Sequence, residues 1–428
     1  MRAFAKWIVI LALVLAPCAA VLAATCTSNT GARNWNTAAT WNCGHVPATG
    51  DAVIVPNAST VTLNVNTNAL ASLQVDVGGT ITLTGTSGFD LYVGGNIVNN
   101  GTLNFTASTG TNTIYLAGNN VTSTFSGSGT WLLDNLDLNG NVFACTGTCK
   151  VELSGSPNLQ FNSATLFSAL SGTNTFNALG NSTATVTFSR AGAQTIATSF
   201  VTYPNLVLAG NNTKTLSSGT LTVLGDMTVS AGTTYAGNSN NPSVNLAGDF
   251  LNSGTFTSGS GVFTFNGSSL QSLTGAATFI SMKINNAAGL TLASGDITVS
   301  ALLTLTSGNI ITNANTLITS ANCATSVSRT SGFVVGNLRK TIPAGASTCT
   351  FEIGSGSNYT PAVTVFVAGT GTGNITASTT GTEHGSIASS GIDATQSVNR
   401  FWTLTNGGVT LPVAGFTATG PVIRSVVR

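Results

Sequence analysis

The sequence predicts an all-β protein in which a parallel β-helix (a β-solenoid) is followed by a C-terminal β-sandwich-like domain. Three observations favour this fold class. Charged residues are only 6% of the 428 residues, whereas Gly alone occurs 49 times. Apolar residues alternate with Thr, Ser and Asn, which is the period of a strand with one buried face. A long block of sequence also recurs, and such self-similarity is typical of stacked architectures.

The internal repeat consists of residues 185–233 and a similar segment at residues 262–308. Gln194 corresponds to Gln271 at an offset of 77 residues, and other positions correspond at 76 or 77. The phrase LYVGGNIVNNGT returns as VNLAGDFLNSGT 153 residues later, close to twice that offset. We therefore expect a long repeat of three coils with about 25 residues each. A stack of antiparallel sandwiches is the alternative, because turn-rich β sequence fits it as well.

The segment 1–24 has the parts of a signal peptide. Two basic residues precede an apolar run at 7–15, and small residues follow it. A membrane anchor is the alternative, but Pro17 and the small residues leave the run short for a span. Cys18 lies in a sequence that resembles a lipoprotein box, although Pro17 departs from it. We expect a protein that is secreted or on the cell surface, with no transmembrane segment after signal cleavage.

Six cysteines remain after the signal peptide, and they fall into three local couples. Six cysteines allow 15 connectivities, but distant coils of an elongated stack cannot meet, which favours pairing within each couple. An oxidising compartment would form these bonds. A metal site at the close pair is the alternative, since its spacing is near that of metal ligands. The predicted disulfides are Cys26–Cys43, Cys145–Cys149 and Cys323–Cys349.

Residues 25–67 are predicted to form an N-terminal cap and the first strands, and residues 68–320 the solenoid. The start carries Trp35, Thr40-Trp41, Gly44, Val46-Pro47 and Gly50-Asp51, followed by alternating Val and Ile. This pattern resembles the eight-glycine domain and related modules of large bacterial surface proteins. The resemblance covers about 34–85, and it implies extracellular β-solenoid structure without implying one ligand.

Residues 321–428 carry longer strands and more charge, which predicts the sandwich-like domain. Four short motifs resemble the tails of MshQ-type surface proteins, which are associated with mannose-sensitive pilus biogenesis. They lie at Gly332–Arg339, Phe351–Gly354, Tyr359–Pro361 and Arg400–Leu404. Similar proteins often continue further, and no finishing element follows the last motif, so a truncated domain is one interpretation of this end.

Catalytic residues are not indicated by the titratable groups. Both histidines, His45 in the cap and His384 in a loop-like segment, lack the neighbours that nucleophilic hydrolysis needs. Parallel β-helices host polysaccharide lyases and glycosidases, which use placed carboxylates. The candidate pairs are Asp134/Asp137 and Asp226/Asp249. We interpret the first pair as a solvated turn, because only Lys150 and Glu152 lie near it and no denser cluster exists.

The remaining composition narrows the possible partners. The formal net charge is +1, which offers no basic surface to nucleic acid. No calcium-repeat or phosphate-loop motif is present, so no cofactor or metal is predicted. Thr-x-Thr strings could order water as an ice-binding surface does, although Thr is also favoured on any strand. They begin at Thr60, Thr80, Thr220 and Thr304.

We therefore expect a structural or adhesive surface protein without catalysis, whose partners are extracellular polysaccharide or a surface protein. The sparse titratable residues favour this function over chemistry. A carbohydrate-active enzyme on the same scaffold and an ice-binding or matrix protein are the alternatives.

Overall fold

The computed structural model describes residues 23–83, 85–106, 110, 112–117, 122–137, 150–153, 158–161, 175–178, 183–391, 393–412 and 417–419. Within them the chain is a parallel β-solenoid of about 12 turns with no α-helix, so the predicted fold class is confirmed. The helical elements described are short 3-10 turns, at Ala38–Thr40, Ile387–Ser389 and Ala394–Gln396. The predicted signal peptide lies outside the described residues except for its last two, and it stays a prediction.

The coils stack so that each of three faces is a parallel β-sheet. The first face begins at the first strand of the described chain and reaches Val327–Arg329. Its strands are Thr25–Thr27, Ala52–Val55, Ser72–Val75, Ile97–Asn99, Thr122–Ser126, Lys150–Leu153, Thr175–Asn177, Val201–Tyr203, Thr220–Val223, Ser243–Leu246, Val262–Phe265, the later parts of Ala277–Asn285 and Ile297–Ser307, and Val327–Arg329.

The second face follows the first along every coil and runs to Ile353–Ser355. Its strands are Gly31–Asn34, Ser59–Leu63, Thr80–Leu83, Thr102–Asn104, Thr130–Leu133, Asn158–Phe161, Thr185–Phe188, Asn205–Leu208, Met227–Val229, Phe250–Asn252, Gln271–Thr274, Leu290–Ser294, the early parts of Ile310–Asn322 and Val334–Ile342, and Ile353–Ser355.

The third face consists of shorter ladders. The four long strands of the last coils turn a corner without a break, so they supply this face as well. The third-face strands are Leu91–Val93, Thr113–Leu116, Asn135–Asp137, Gln194–Ile196, Asn212–Leu216, Thr233–Ala236 and Thr255–Thr257, continued by the early parts of Ala277–Asn285 and Ile297–Ser307 and the later parts of Ile310–Asn322 and Val334–Ile342.

The core is a set of apolar columns that run along the solenoid axis. Val and Leu have every second side chain pointing inward, and parallel register places each one against its counterpart in the next coil. On the first face one buried column contains Leu221, Val244, Phe263, Met282 and Leu303. Each coil therefore buries its apolar face only against neighbouring coils, as a solenoid requires.

Coil length varies, and the predicted repeat of three coils with about 25 residues each is wrong. Phe263 pairs with Met282, 19 residues later, whereas Leu303 pairs with Val327, 24 residues later. The repeated block is real, but its two copies lie on different faces. The strand Thr185–Phe188 belongs to the second face and its counterpart Val262–Phe265 belongs to the first. The sequence repeat thus does not span a whole number of coils.

The ends of the solenoid differ from its middle. At the N-terminal end, Trp35 and Trp41 are buried and meet edge to face, with ring centroids 4.9 Å apart. At the other end parallel pairing continues past the predicted boundary at residue 321, because Val334 pairs with Ile353. Antiparallel strands follow in the described residues, which supports the predicted sandwich-like domain in part. They are Gly373–Thr380 and Phe401–Gly407, Asn358–Tyr359, and the sheet of Ser347–Phe351, Ala362–Phe366 and Thr417–Thr419.

The four C-terminal motifs meet at this end of the solenoid. The Arg329 guanidinium lies 3.5 Å from the Tyr359 ring centroid, and Phe333 packs against the same ring. Trp402 donates its indole N–H to the Thr360 carbonyl oxygen at 3.0 Å, and Arg400 donates to the Thr360 hydroxyl. The motif residues therefore tie the last antiparallel strands to the last parallel coil.

Candidate binding groove on the first face

A groove of about 500 Å³ lies on the outer surface of the first face. Three successive first-face strands form its floor, and the corner at 198–200 forms one wall. The residues that line it are uncharged: they include hydroxyl residues, one amide and two phenylalanines, of which Phe176 is buried and Phe200 is half exposed. The floor and the wall include Thr175, Asn177, Phe200, Thr202, Thr220 and Thr222. None of the described lining residues is charged, so the groove offers hydrogen bonds and apolar contact but no ionic attraction.

Phe200 has an unusual backbone for an aromatic residue. Its φ is 62°, in the left-handed region, and its side chain is 49% exposed. Five of the seven described non-glycine residues with positive φ are Asn, the type that tolerates this region best; the others are Phe200 and Ala58. A bulky residue in this conformation costs on the order of 1–3 kcal/mol. The ring is half exposed, so it gains only part of the free energy that full burial would give.

Gly219 opens the other side of the groove. Its φ is 110°, and a Cβ at this position would lie 2.3 Å from the Ser199 hydroxyl oxygen. Because parallel register aligns Thr202 with Thr222, Gly219 occupies the place of Ser199 one coil later. The missing side chain leaves room beside Phe200.

Hydrogen bonds of buried side chains hold the corner that carries Phe200. Tyr203 is fully buried and donates its hydroxyl to the Ala197 carbonyl oxygen at 2.9 Å. Burial raises the pKa of Tyr203 well above its ordinary value, so the hydroxyl keeps its proton. Thr198 donates its hydroxyl to carbonyl oxygens of Ser217 and Ser218 in the next coil. Hydrogen bonds within this coil and to the next coil therefore hold this wall of the groove in place.

A column of outward polar residues runs from the groove along the first face. Each member pairs in register with the next, and all are partly exposed except the last, which is exposed. We call this set the polar column: Asn177, Thr202, Thr222, Asn245, Thr264, Lys283, Thr304 and Ser328. Successive members are separated by the coil rise of about 4.8 Å.

The structure forms two of the predicted disulfides. Cys26 pairs with Cys43 and Cys323 with Cys349, with Cα–Cα distances of 5.0 Å and 5.3 Å. Cys145 and Cys149 lie outside the described residues, so their pairing stays a prediction. The four described cysteines join strands at the two ends of the solenoid and lie outside the groove.

His45 lies beside the first disulfide, and its Nε2 is 2.9 Å from the Asp51 carboxylate. Asp51 is buried and accepts the N–H groups of Ala24 and Ala48 at 2.7 Å each. Burial raises the pKa of Asp51, but these hydrogen bonds and His45 outweigh it and lower the pKa below its ordinary value. The sulfurs of Cys26 and Cys43 lie near His45 in the sole metal-like group among the described residues. Thiolate is the sulfur form that binds metal, and the disulfide removes it.

The second candidate carboxylate pair is brought together by the fold. Asp226 and Asp249 are exposed in neighbouring coils at the corner between the first and second faces. Asp249 donates its backbone N–H to the Asp226 carboxylate at 2.8 Å, and Ser272 does the same to Asp249. Asn205 begins the row by accepting the N–H of Asp226. Each carboxylate thus continues a ladder that joins coils.

The sequence suggested a solvated turn for Asp134, and the structure shows that this interpretation is wrong. Asp134 is 8% exposed, at the corner between the second and third faces, and the Asn112 side chain donates to it at 2.8 Å. Asp137 belongs to the next strand, but its side chain, like those of Lys150 and Glu152, lies outside what the structure describes. His384 is exposed and its ring meets Phe401 edge to face.

Sequence reasoning missed a buried lysine. Lys214 is fully buried on the third face, and its ammonium donates to the carbonyl oxygens of Arg190 and Gly192 and to the Gln194 amide oxygen. Burial first, and then the charge of Arg190, lowers the pKa of Lys214 to about 8. The alternation in Asn212–Leu216 could have indicated it, since Thr213 and Thr215 point outward and leave Lys214 inside.

The Thr strings occupy two faces. Thr60 and Thr62 pair with Thr80 and Thr82 on the second face, so their irregular sequence spacing becomes an aligned array. Asn104 follows Thr82 in the next coil and Leu132 follows Asn104. The strings at Thr220 and Thr304 lie on the first face instead.

A family model described as the G8 domain matches residues 40–165. The match begins inside the N-terminal cap and ends before the first residue of the groove, so it agrees with the resemblance to the eight-glycine domain and says nothing of the groove. No curated protein matches the chain. No solved structure matches it either. The resemblance of the tail to MshQ-type proteins stays a prediction. Among the described residues, no helix has the length and apolarity that a membrane crossing requires.

Proposed function

We propose that this chain is an exported bacterial surface protein that acts as a non-catalytic scaffold for adhesion to extracellular carbohydrate or protein. The observation that carries the proposal is the stretch of the polar column from Asn177 to Thr264, where uncharged hydroxyl and amide side chains repeat from coil to coil before Lys283 follows. A surface of this kind supplies many weak hydrogen bonds at a fixed spacing, which suits a repeating ligand.

The charged groups support a role without chemistry. Asp51, Lys214 and Glu352 are buried and bonded within the structure. Asp226 and Asp249 are committed to the corner ladder through one oxygen each. Glycoside hydrolysis needs one carboxyl group with a raised pKa beside an ionised one. Burial raises the pKa of Glu352, but Lys340 lies 2.7 Å from it and both groups are inside the end of the solenoid.

The proposed export of the chain is supported by the predicted signal peptide and by the disulfides at both ends of the described chain. Disulfides persist in oxidising compartments, and short loops closed by them stabilise the terminal coils. Fractionation of a bacterium that expresses the full chain tests this part. We expect the protein in the surface or medium fraction and shortened at its N-terminus; full-length protein in the cytoplasm would contradict export.

Incubation with immobilised polysaccharides tests the adhesive part. We expect the mature protein to be retained on at least one neutral polysaccharide, with no release of reducing or unsaturated ends. The double variant Asp226→Asn/Asp249→Asn is expected to behave in the same way. Turnover that this variant loses would establish the enzymatic alternative instead.

Ice binding is a second candidate, and the aligned Thr60/Thr62 and Thr80/Thr82 pairs on the second face favour it. One column of the array continues through Thr102 and Thr130, whereas the other is interrupted by Asn104 and Leu132. Thermal hysteresis of the purified protein, lost in Thr80→Val/Thr82→Val, would support this function. Its absence would leave the Thr pairs as ordinary outward residues of a strand.

A further inference from the structure

The strained aromatic residue and the polar column lie on one surface, and together they indicate a kind of ligand. The left-handed backbone of Phe200 holds its ring at the edge of the groove, although Asn occupies most other described positions of this type. Strain of this kind persists where the surroundings impose it, and it clusters at sites that bind ligands. The corner beneath Phe200 is bonded to the next coil, so the ring is presented in one place.

The chemistry of the lining defines the ligand class. Hydroxyl groups of Thr175, Thr202 and Thr222 and the amide of Asn177 can both donate and accept hydrogen bonds. A polyol presents the same kind of groups, and its C–H faces pack against aromatic rings. An anionic polymer would find no cation among the described residues that line the groove.

The polar column indicates how a polysaccharide chain would be oriented on the first face. Its rungs recur at about 4.8 Å along the solenoid axis, which is close to the length of one sugar unit in a linear chain. A polysaccharide that lies across the strands would therefore meet one rung per unit. Asn177, Thr202 and Thr222 lie in the groove, and Asn245 and Thr264 continue the column beyond it.

We propose that the first face binds a linear neutral polysaccharide, with one sugar unit stacked on Phe200 in the groove and the following units hydrogen-bonded along the polar column. This inference rests on the proposed function and gives it a site and a ligand class. The peptide or protein partner that the proposed function also allows is an outcome of the test.

The test compares binding of wild type and Phe200→Asn to malto-, cello-, manno- and chito-oligosaccharides of increasing length. Asn tolerates positive φ, so we expect the variant to unfold at the same temperature as wild type or higher. Loss of the ring should weaken binding by about tenfold. Leu270→Asn is the matched control, because Leu270 is 50% exposed and lies outside the groove. It should bind as wild type does.

A second variant tests the column without touching the strained corner. Thr264→Val, in the polar column but outside the groove, keeps the shape and strand preference of the side chain and replaces its hydroxyl with a methyl group. We expect weaker binding of longer oligosaccharides and a smaller effect on the shortest ones. For wild type, affinity should rise with chain length until the column is covered.

The outcomes separate the two proposals. Equal binding by wild type and Phe200→Asn, or binding that does not depend on chain length, would overturn the groove proposal while adhesion to a polysaccharide could stand. Preference for oligogalacturonate over every neutral glycan would overturn it as well. Retention on a protein-coated surface with no glycan binding would overturn the groove proposal and keep the scaffold function. No retention on any of these surfaces would contradict both.

Discussion

Lys214 is a charged residue whose position is set by its oxygen partners and not by a carboxylate. Three oxygens of one corner surround its ammonium, two from the backbone and one from Gln194. Burial penalises the charged form, and for this reason the pKa falls to about 8 from an ordinary value of 10.5. The folded state thus loses a proton at lower pH than the unfolded chain does.

This shift predicts that stability rises with pH over a defined window. Between about pH 8 and about pH 10 the unfolded chain binds more protons at Lys214, so the free energy of unfolding should increase with pH. Below about pH 8 both states are protonated and this contribution should be constant. Urea unfolding at several pH values measures the slope, and Lys214→Gln should reduce it. An equal slope in the variant would show that Lys214 is not its source.

Gln271 and Gln194 show how the internal repeat is used. Gln271 accepts the Gly267 N–H at 2.9 Å and donates to the Leu246 carbonyl oxygen in the preceding coil at 3.0 Å. Gln194 makes the same two bonds, with Arg190 and Phe161. A donor from the next coil reaches each amide oxygen, Asn286 in one copy and Lys214 in the other. The repeat therefore encodes a buried corner.

Gln271→Leu should be strongly destabilising for its size. The substitution leaves buried backbone groups without partners, and each costs about 1–3 kcal/mol. We expect a loss of roughly 2–4 kcal/mol in the free energy of unfolding, measured by chemical denaturation. Gln74→Leu is the control, since Gln74 is exposed and a surface change there should stay within about 0.5 kcal/mol. Similar losses in the two variants would refute the structural role of the corner.

At the level of elements, the strands could be predicted from the sequence, whereas the register between neighbouring coils could not. Alternation in Thr60–Leu63 or Thr185–Phe188 shows which side chains point inward, and this is a local property. Coil register depends on corner lengths, which change from one coil to the next. The same corner motif serves the second-to-third corner at Gln194 and the first-to-second corner at Gln271, so sequence similarity could not assign a face. Phe200 was missed because nothing in the residue type indicates positive φ.

The disulfide Cys26–Cys43 belongs to the first described coil, which has a neighbouring coil on only one side among the described residues. Closing its 17-residue separation stabilises the folded state by about 3 kcal/mol in the chain-entropy model. Cys26→Ser/Cys43→Ser should therefore loosen this coil first. Hydrogen exchange should become faster in the strand Thr25–Thr27 and remain slow in Val262–Phe265 of the middle coils. Uniformly faster exchange would mean that the terminal coil is not an independent weak point.

At the scale of the whole molecule, both stability and recognition depend on how neighbouring coils are arranged. Apolar columns hold the coils together from inside, Asx side chains join them at corners, and the disulfides close the ends. The outward residues are then free to repeat a surface pattern. Composition predicted this neutral exterior, because so few charges are present. The groove could not be predicted, since it arises where Gly219, Phe200 and three strands of different coils meet.

Binding of a polysaccharide without its cleavage is the central property proposed for this protein. The most direct measurement is co-sedimentation of the mature protein with an insoluble linear neutral polysaccharide, followed by chain-length analysis of the recovered polymer. We predict that wild type sediments with the polymer, that Phe200→Asn does so about tenfold less tightly, and that the polymer is recovered at its original length. A shortened polymer would contradict the account, as would wild type that remains in the supernatant.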